Sequence, residues 1–342
     1  MKYPFVRLVC ATLLAGLAGL AGAGQAAMDR SVLLPVAPAV VKIEAISAAG
    51  NYHLGSGVIV GEGKVVTNCH VTRHAERVAV VKGGIRWPAV SQSADVARDL
   101  CVLRVPQIEG DAVTIARATT LKIGQPVMAI GYTGGVMLQL SEGAVVALHD
   151  WSGSRIIQSS NWFSSGASGG GLFNAEGALV GILTFRLRGG GAHYFAAPAD
   201  WLAEQVADDS RFERFARLDG QTYWERPSEA QPYFLQAAAL EQRREWPALA
   251  ALAQRWSDAT GGIAEAAYML GLAYEGLGRH DDSIAALRRC LELDPGFVPS
   301  WVRLAGLYKR QGRHGDARVA LSRLASLDPE QARTLSNELE KP

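Results

Sequence analysis

The sequence reads as two architectures in succession: an all-β half of short strands, then an all-α half of helical repeats. Three observations carry this reading. From about residue 36 to 200, β-branched apolar runs of four to eight residues recur between glycine-marked turns. At about residue 229 the apolar period changes from strand-like to helical. Two of the helical stretches superpose at an offset of 34 residues.

The chain has 342 residues, 49% hydrophobic and 20% charged, which is ample for two cores. That composition excludes collagen-like, disordered and multi-spanning membrane classes. Thirty-four basic residues face 33 acidic ones, so the net charge is +1 and no nucleic-acid footprint is present.

Residues 1–27 read as a secretory signal. Lys2 and Arg7 form its positive region, Leu8 to Leu20 its apolar tract, and Ala21-Gly22-Ala23 or Gly24-Gln25-Ala26 its cleavage site. The other reading of this stretch is an uncleaved anchor. Either way the expected location is exported, periplasmic or secreted, with no membrane contact beyond the signal.

The runs VVKIEAI, SGVIVG, KVVTNCHV, RVAVVKG, LCVLRV, PVMAIGY, GAVVAL, RIIQSS, GLFN, ALVGILTF and HYFAAP read as strands of a barrel or sandwich. These place one domain at 28–205. Residues 206–228, polar and charged, read as a linker ending near Pro227 and Pro232. In the helical domain, 229–342, Leu270, Tyr274, Gly278, Leu287 and Pro295 recur as Leu304, Tyr308, Gly312, Leu321 and Pro329. This pattern resembles the tetratricopeptide (TPR) repeat, a helix pair that buries its apolar face only by stacking on the next. Such a stack offers a groove for a protein partner or for self-association. Arg279, Arg303, Arg310 and Arg313 are candidates for an acidic tail, or for ion pairs within the repeats.

The chemistry lies in the β half. Serine is a poor nucleophile unless a base lies within reach, and that base needs an orienting group. Three segments supply these residue types in order: Thr67-Asn68-Cys69-His70-Val71, Arg98-Asp99-Leu100-Cys101, and Gly166-Ala167-Ser168-Gly169-Gly170. The glycines let backbone N–H groups converge on one concavity, as an oxyanion hole requires. Taken with Gly55-Ser56-Gly57 and Tyr194-Phe195-Ala196-Ala197-Pro198, these motifs resemble the chymotrypsin-like serine peptidases of the HtrA/Deg-type branch. The resemblance covers about half the chain.

It implies a multidomain protein, an all-β chymotrypsin-like double β-barrel followed by an all-α tetratricopeptide domain. It implies Ser168 as nucleophile, His70 as general base and acid, and Asp99 as orienter, with the N–H groups of Gly166 and Ser168 as oxyanion hole. It also implies polypeptide substrates and no metal or organic cofactor. Thr184 matches the family's hydroxyl residue that supports the buried aspartate. Trp162 and Phe163 fall at the specificity pocket, where no acid is present, so an apolar side chain is expected there. Thr184, Phe185 and Arg186 fall on the strand that would pair with substrate. Trp162 has a second reading, as core. Gly171 stands where the family has proline after S-G-G, which would loosen the site.

Cys69 and Cys101 flank His70 and Asp99. Strand alternation would put Asp99 and Cys101 on one face, leaving a disulfide and two buried thiols as the alternatives. Cys290 reads as packing. His53, His74, His149, His280 and His314 read as surface residues, and His193 as structural or pocket-facing. The functional expectation is an exported serine endopeptidase working in envelope protein quality control. Its rival is a non-catalytic scaffold or chaperone acting through the repeats.

Overall fold

The computed structural model describes residue 28 and residues 30–187 and 193–340; the expected signal, 1–27, lies outside them. After a short helix, α1 (Arg30–Leu33), the first sheet comprises β1 (Val40–Ser47), β2 (Tyr52–Gly61), β3 (Lys64–Thr67), β4 (Ala75–Lys82), β5 (Ile85–Ala89), β6 (Ser91–Asp95) and β7 (Leu100–Arg104). One turn of helix, α2 (Cys69–Thr72), leaves β3. The strands are ordered β5-β4-β1-β2-β3-β7-β6.

The second sheet comprises β8 (Pro126–Thr133), β9 (Met137–Trp151), β10 (Ser154–Ser159), β11 (Gly171–Phe173), β12 (Leu179–Arg186) and β13 (Tyr194–Pro198). It closes into a barrel, β10-β13-β12-β11-β8-β9. Valine, isoleucine and leucine from both sheets, such as Ile43, Val58, Val66, Leu103, Ile130 and Ile182, are fully buried. The β-branched valines and isoleucines among them suit a pleated surface packed on its inner face.

After α3 (Leu202–Ala207), the helical half comprises α4 (Tyr233–Gln242), α5 (Trp246–Thr260), α6 (Ala264–Gly276), α7 (His280–Leu293), α8 (Val298–Arg310), α9 (His314–Leu327) and α10 (Pro329–Glu340). The recurring Gly278 and Gly312 follow α6 and α8 with φ near +70°, a left-handed conformation that glycine adopts without a Cβ penalty. That requirement explains why glycine recurs at the 34-residue offset. Cys290 packs inside α7, and burial pushes its thiol up to about 12 despite a hydrogen bond with Ser300. All four arginines singled out in the repeats are ion-paired: Arg279 with Asp282, Arg313 with Asp316, and both Arg303 and Arg310 with Glu275.

The structure corrects the reading of 206–228 as a linker. The segment is a strap lying on the first sheet. Its charges are matched: Asp209 to Lys64 at 2.8 Å and Arg104 at 2.6 Å, and Glu225 to both terminal nitrogens of Arg73 at 3.0 and 2.6 Å. Gln92 and Glu213 exchange backbone hydrogen bonds, and Tyr223 N–H donates to Ala97 O. The Tyr223 side chain is fully buried, its ring 4.6 Å from that of Trp151. Removing such a ring from water is worth about 2 kcal/mol.

His149 on β9 is a second correction, being buried rather than on the surface. Phe234 of α4 stacks on it at 4.4 Å, and Glu265 of α6 pairs with its Nδ1. Its Nε2 lies 3.0 Å from Gln158 Oε1, and Gln158 reaches His193 Nδ1 at 3.3 Å. Burial opposes charge on His149, but the Glu265 carboxylate and the hydrogen bonds with Glu265 and Gln158 outweigh it, so the imidazole pKa is raised. Burial and the neighbouring His149 push His193 down.

A raised histidine pKa contributes stability that is complete below the unfolded value of about 6.5 and is lost as pH rises through the folded value. Glu265→Gln is therefore expected to cost about 3 kcal/mol at pH 6 and clearly less at pH 9. Denaturant unfolding of both proteins at the two pH values checks this; an equal cost at both would contradict a charged His149.

Candidate active site

His70 and Asp99 are hydrogen-bonded to each other, and a Cβ at Gly55 would meet both Val71, next to His70, at 2.6 Å and Ser168 O at 3.2 Å, so the serine's turn lies beside α2. His70 lies on α2, the turn that leaves β3, and Asp99 precedes β7, which pairs with β3. Asp99 is not a strand residue as alternation suggested: it has φ +61° and its N–H closes a turn onto Val96 O at 3.1 Å. That backbone aims the carboxylate at α2. Asp99 Oδ1 accepts from His70 N–H at 2.9 Å, and Oδ2 accepts from His70 Nδ1 at 2.7 Å. The Asp99 side chain is 0% exposed, whereas that of His70 is 22% exposed. The base thus faces solvent and its orienter does not.

Two further ties hold α2 to β7. Cys69 and Cys101 form a disulfide with a Cα–Cα distance of 4.9 Å. Asn68 Nδ2 donates to Asp99 O at 2.9 Å.

Ser168 sits in the turn between β10 and β11. Gly169 has φ +87°, and a Cβ there would lie 2.1 Å from Ser56 O, so only glycine fits beside the nucleophile. Gly169 N–H donates to Leu183 O and Gly170 N–H to Ala167 O. Among the described residues, neither the N–H of Gly166 nor that of Ser168 has a protein acceptor. These two amides are the pair assigned to the oxyanion hole.

The Ser168 hydroxyl donates to Thr184 O at 3.2 Å. His70 Nε2 has no protein partner among the described residues, so it is open to accept a proton.

Ser56 was quoted only as part of a strand motif, yet it fastens this loop. Its N–H donates to Ser168 O at 2.7 Å, and its hydroxyl donates to Gly166 O at 2.8 Å while accepting from Tyr132 N–H. Gly171 is not loose. It begins β11 between Ile130 and Ile182, and the Phe173 ring fills the space a side chain would need.

Among the described residues Thr184 makes no hydrogen bond with the Asp99 carboxylate; it meets Asn68 Nδ2, which bonds Asp99 O, at 3.5 Å. Its hydroxyl donates to Ile182 O at 2.8 Å and accepts from Ala197 N–H. Trp224 of the strap occupies that role instead: its Nε1–H donates to Asp99 Oδ2 at 3.0 Å. Sequence reasoning missed it, although Tyr223-Trp224 is an aromatic pair inside an otherwise polar stretch.

The expected apolar pocket is only partly assembled. Trp162 is 46% exposed beside the nucleophile turn, but Phe163 is buried in the second barrel against Tyr194. Phe185 is buried between Phe195 and Trp224, which stack on it at 4.8 and 5.1 Å. Arg186 is exposed at the end of β12. His193 is buried, bonded to Gln158 as described above.

Residues 55–182 match the family model of the trypsin-like peptidase domain, and residues 264–297 and 298–331 match that of the tetratricopeptide repeat. A probable periplasmic serine endoprotease, DegP-like, of Halomonas elongata is 33% identical over 167 residues, 46% of this chain and 35% of its own. Serine protease HTRA4 of Mus musculus is 29% identical over 195 residues, 52% of this chain and 40% of its own. The chain thus spans between about a third and two fifths of these relatives' length. Among solved structures, the HtrA-type protease AlgW with tripeptide is 30% identical, with 52% of this chain and 61% of that one covered and a TM-score of 0.48. The active form of the Rv3671c protease of M. tuberculosis has 22% identity, 64% and 96% coverage and a TM-score of 0.51, a likeness of fold.

Proposed function

For a chain that joins a trypsin-like peptidase domain of HtrA type to C-terminal tetratricopeptide repeats, we propose the activity of a serine endopeptidase acting on polypeptides. The observation that supports this reading is the pairing of Asp99 with His70 on a turn that neighbours the one carrying Ser168. A buried carboxylate is paired to an imidazole, and two unpaired amides flank a serine on a glycine-held turn.

In this reading the Ser168 hydroxyl leaves Thr184 O and gives its proton to His70 Nε2 as its oxygen adds to the scissile carbonyl. Asp99 holds the proton on Nδ1, so Nε2 is the basic nitrogen, and its charge stabilises the imidazolium that forms. The N–H groups of Gly166 and Ser168 bind the developing oxyanion. The imidazolium then protonates the leaving amine, an acyl-enzyme remains, and water activated by His70 hydrolyses it.

The domain limits proposed are 28–205 for the peptidase and 229–342 for the repeats, with the strap belonging structurally to the first. The repeats would recruit substrate or a protein partner. Export to the periplasm or beyond and a part in envelope protein quality control belong to the same proposal; a periplasmic namesake among the relatives and the disulfide support it.

Incubation with a reduced, unfolded polypeptide tests the activity. Mass spectrometry of the products is expected to show internal cleavage, enriched after small or aliphatic residues. An intact polypeptide after prolonged incubation would favour the scaffold reading.

A further inference from the structure

We propose that Trp224 is a positioning residue for the Asp99–His70 pair, supplied from the strap that leads into the repeats. The inference rests on the serine-peptidase reading and concerns which residue completes its charge pair.

Three contacts define the role. Trp224 Nε1–H donates to Asp99 Oδ2 at 3.0 Å, the same oxygen that holds His70 Nδ1. The indole meets the imidazole edge-on, with centroids 5.4 Å apart and planes at 90°. Its face stacks on Phe185 of β12 at 5.1 Å and 17°. The indole's one polar atom therefore reaches the carboxylate, its ring braces the base, and its bulk covers a carboxylate that is wholly shielded from water. A carboxylate accepting a hydrogen bond from a neutral donor stays ionised and fixed in one rotamer. Thr184, whose hydroxyl is committed to Ile182 O, does not supply that bond.

The indole is itself held. Tyr223 before it is buried and bonded to Ala97 O, and Glu225 after it is clamped by Arg73, three residues from His70. Gln231 Nε2 donates to Trp224 O at 2.9 Å, and Gln236 of α4 donates to Gln231 O at 2.7 Å. The path from Asp99 to the first helix of the repeats is continuous, so the seating of α4 bears on the triad.

The test uses the full chain with Trp224→Phe and Trp224→His. Phenylalanine keeps a ring but loses the donor; histidine keeps an N–H at the same ring position. Without the donor Asp99 becomes a stronger acceptor for His70, so the His70 proton is held to higher pH. In Trp224→Phe the acid limb of kcat/KM is expected to move up by about half a unit and kcat to fall about tenfold, with KM little changed. Trp224→His is expected to recover most of both. Titration of the His70 imidazole by NMR should show the same displacement, and it reads the pair whether or not the chain cleaves anything. Unchanged titration in Trp224→Phe, with a wild-type melting curve, would overturn the proposal. An inactive wild type whose His70 titration still moves in Trp224→Phe would instead count against the peptidase reading alone. Should the Phe variant fail to fold, a His variant with unaltered kcat and titration keeps the proposal, and one as impaired as a donor-less site overturns it.

Discussion

Asp99→Asn is expected to lower kcat about 10⁴-fold while leaving the fold intact. The Asp99 carboxylate accepts three hydrogen bonds: His70 N–H on Oδ1, and His70 Nδ1–H and Trp224 Nε1–H on Oδ2. An asparagine amide has one acceptor oxygen and one donor nitrogen, so it cannot serve all three. If its oxygen faces the His70 amide, its NH₂ faces His70 Nδ1. The imidazole must then carry its proton on Nε2, the tautomer unable to take the serine proton. If the amide turns the other way, the NH₂ meets the His70 amide and loses the bond that seats α2. Steady-state hydrolysis of a peptide cut by the wild type measures the loss. A variant within tenfold of wild type at neutral pH would contradict the assigned role of Asp99.

Ser168→Ala is expected to be the most severe change, lowering kcat by about 10⁶-fold. What remains would come from the oxyanion amides and from binding. Stability should hardly change. Among the described residues the hydroxyl makes one hydrogen bond, to Thr184 O at 3.2 Å, so its loss costs about 1 kcal/mol or less. Hydrolysis and melting temperature measured on one preparation separate these effects. Cleavage retained by Ser168→Ala would assign the nucleophile elsewhere.

Much of this architecture is legible in the residues because it follows from local pattern. The β-branched runs become strands, and the 34-residue recurrence becomes the pairs α6–α7 and α8–α9, each turning between its two helices on a glycine with positive φ. Order and residue type point to His70, Asp99 and Ser168, and the first two are hydrogen-bonded at 2.7 Å. What escapes the sequence is long-range. GAVVAL shows only the middle of β9, a 15-residue strand whose first six residues, exposed or half-buried, carry only the brief alternation Leu138-Gln139-Leu140-Ser141. His149 has no local mark of burial, since its partners Phe234 and Glu265 lie 85 and 116 residues away. The strap looks solvated because its charges are as frequent as those of a linker; their partners Lys64, Arg73 and Arg104 are distant in sequence. Resemblance placed a hydroxyl at Thr184 to support Asp99, whereas the bond comes from Trp224, 125 residues beyond the carboxylate it serves.

The bond to Asp99 thus comes from the segment that joins the first sheet to α4. The disulfide ties Cys69, next to His70, to Cys101, two residues beyond Asp99.

The most direct measurement is the intact mass of the protein after reaction with a fluorophosphonate, an organophosphorus reagent that phosphonylates a serine only when a neighbouring base activates it. One adduct per chain, mapped to Ser168 and absent from both Ser168→Ala and His70→Ala, is the predicted result. An unmodified wild type, or an adduct that survives in His70→Ala, would contradict an activated Ser168–His70–Asp99 site.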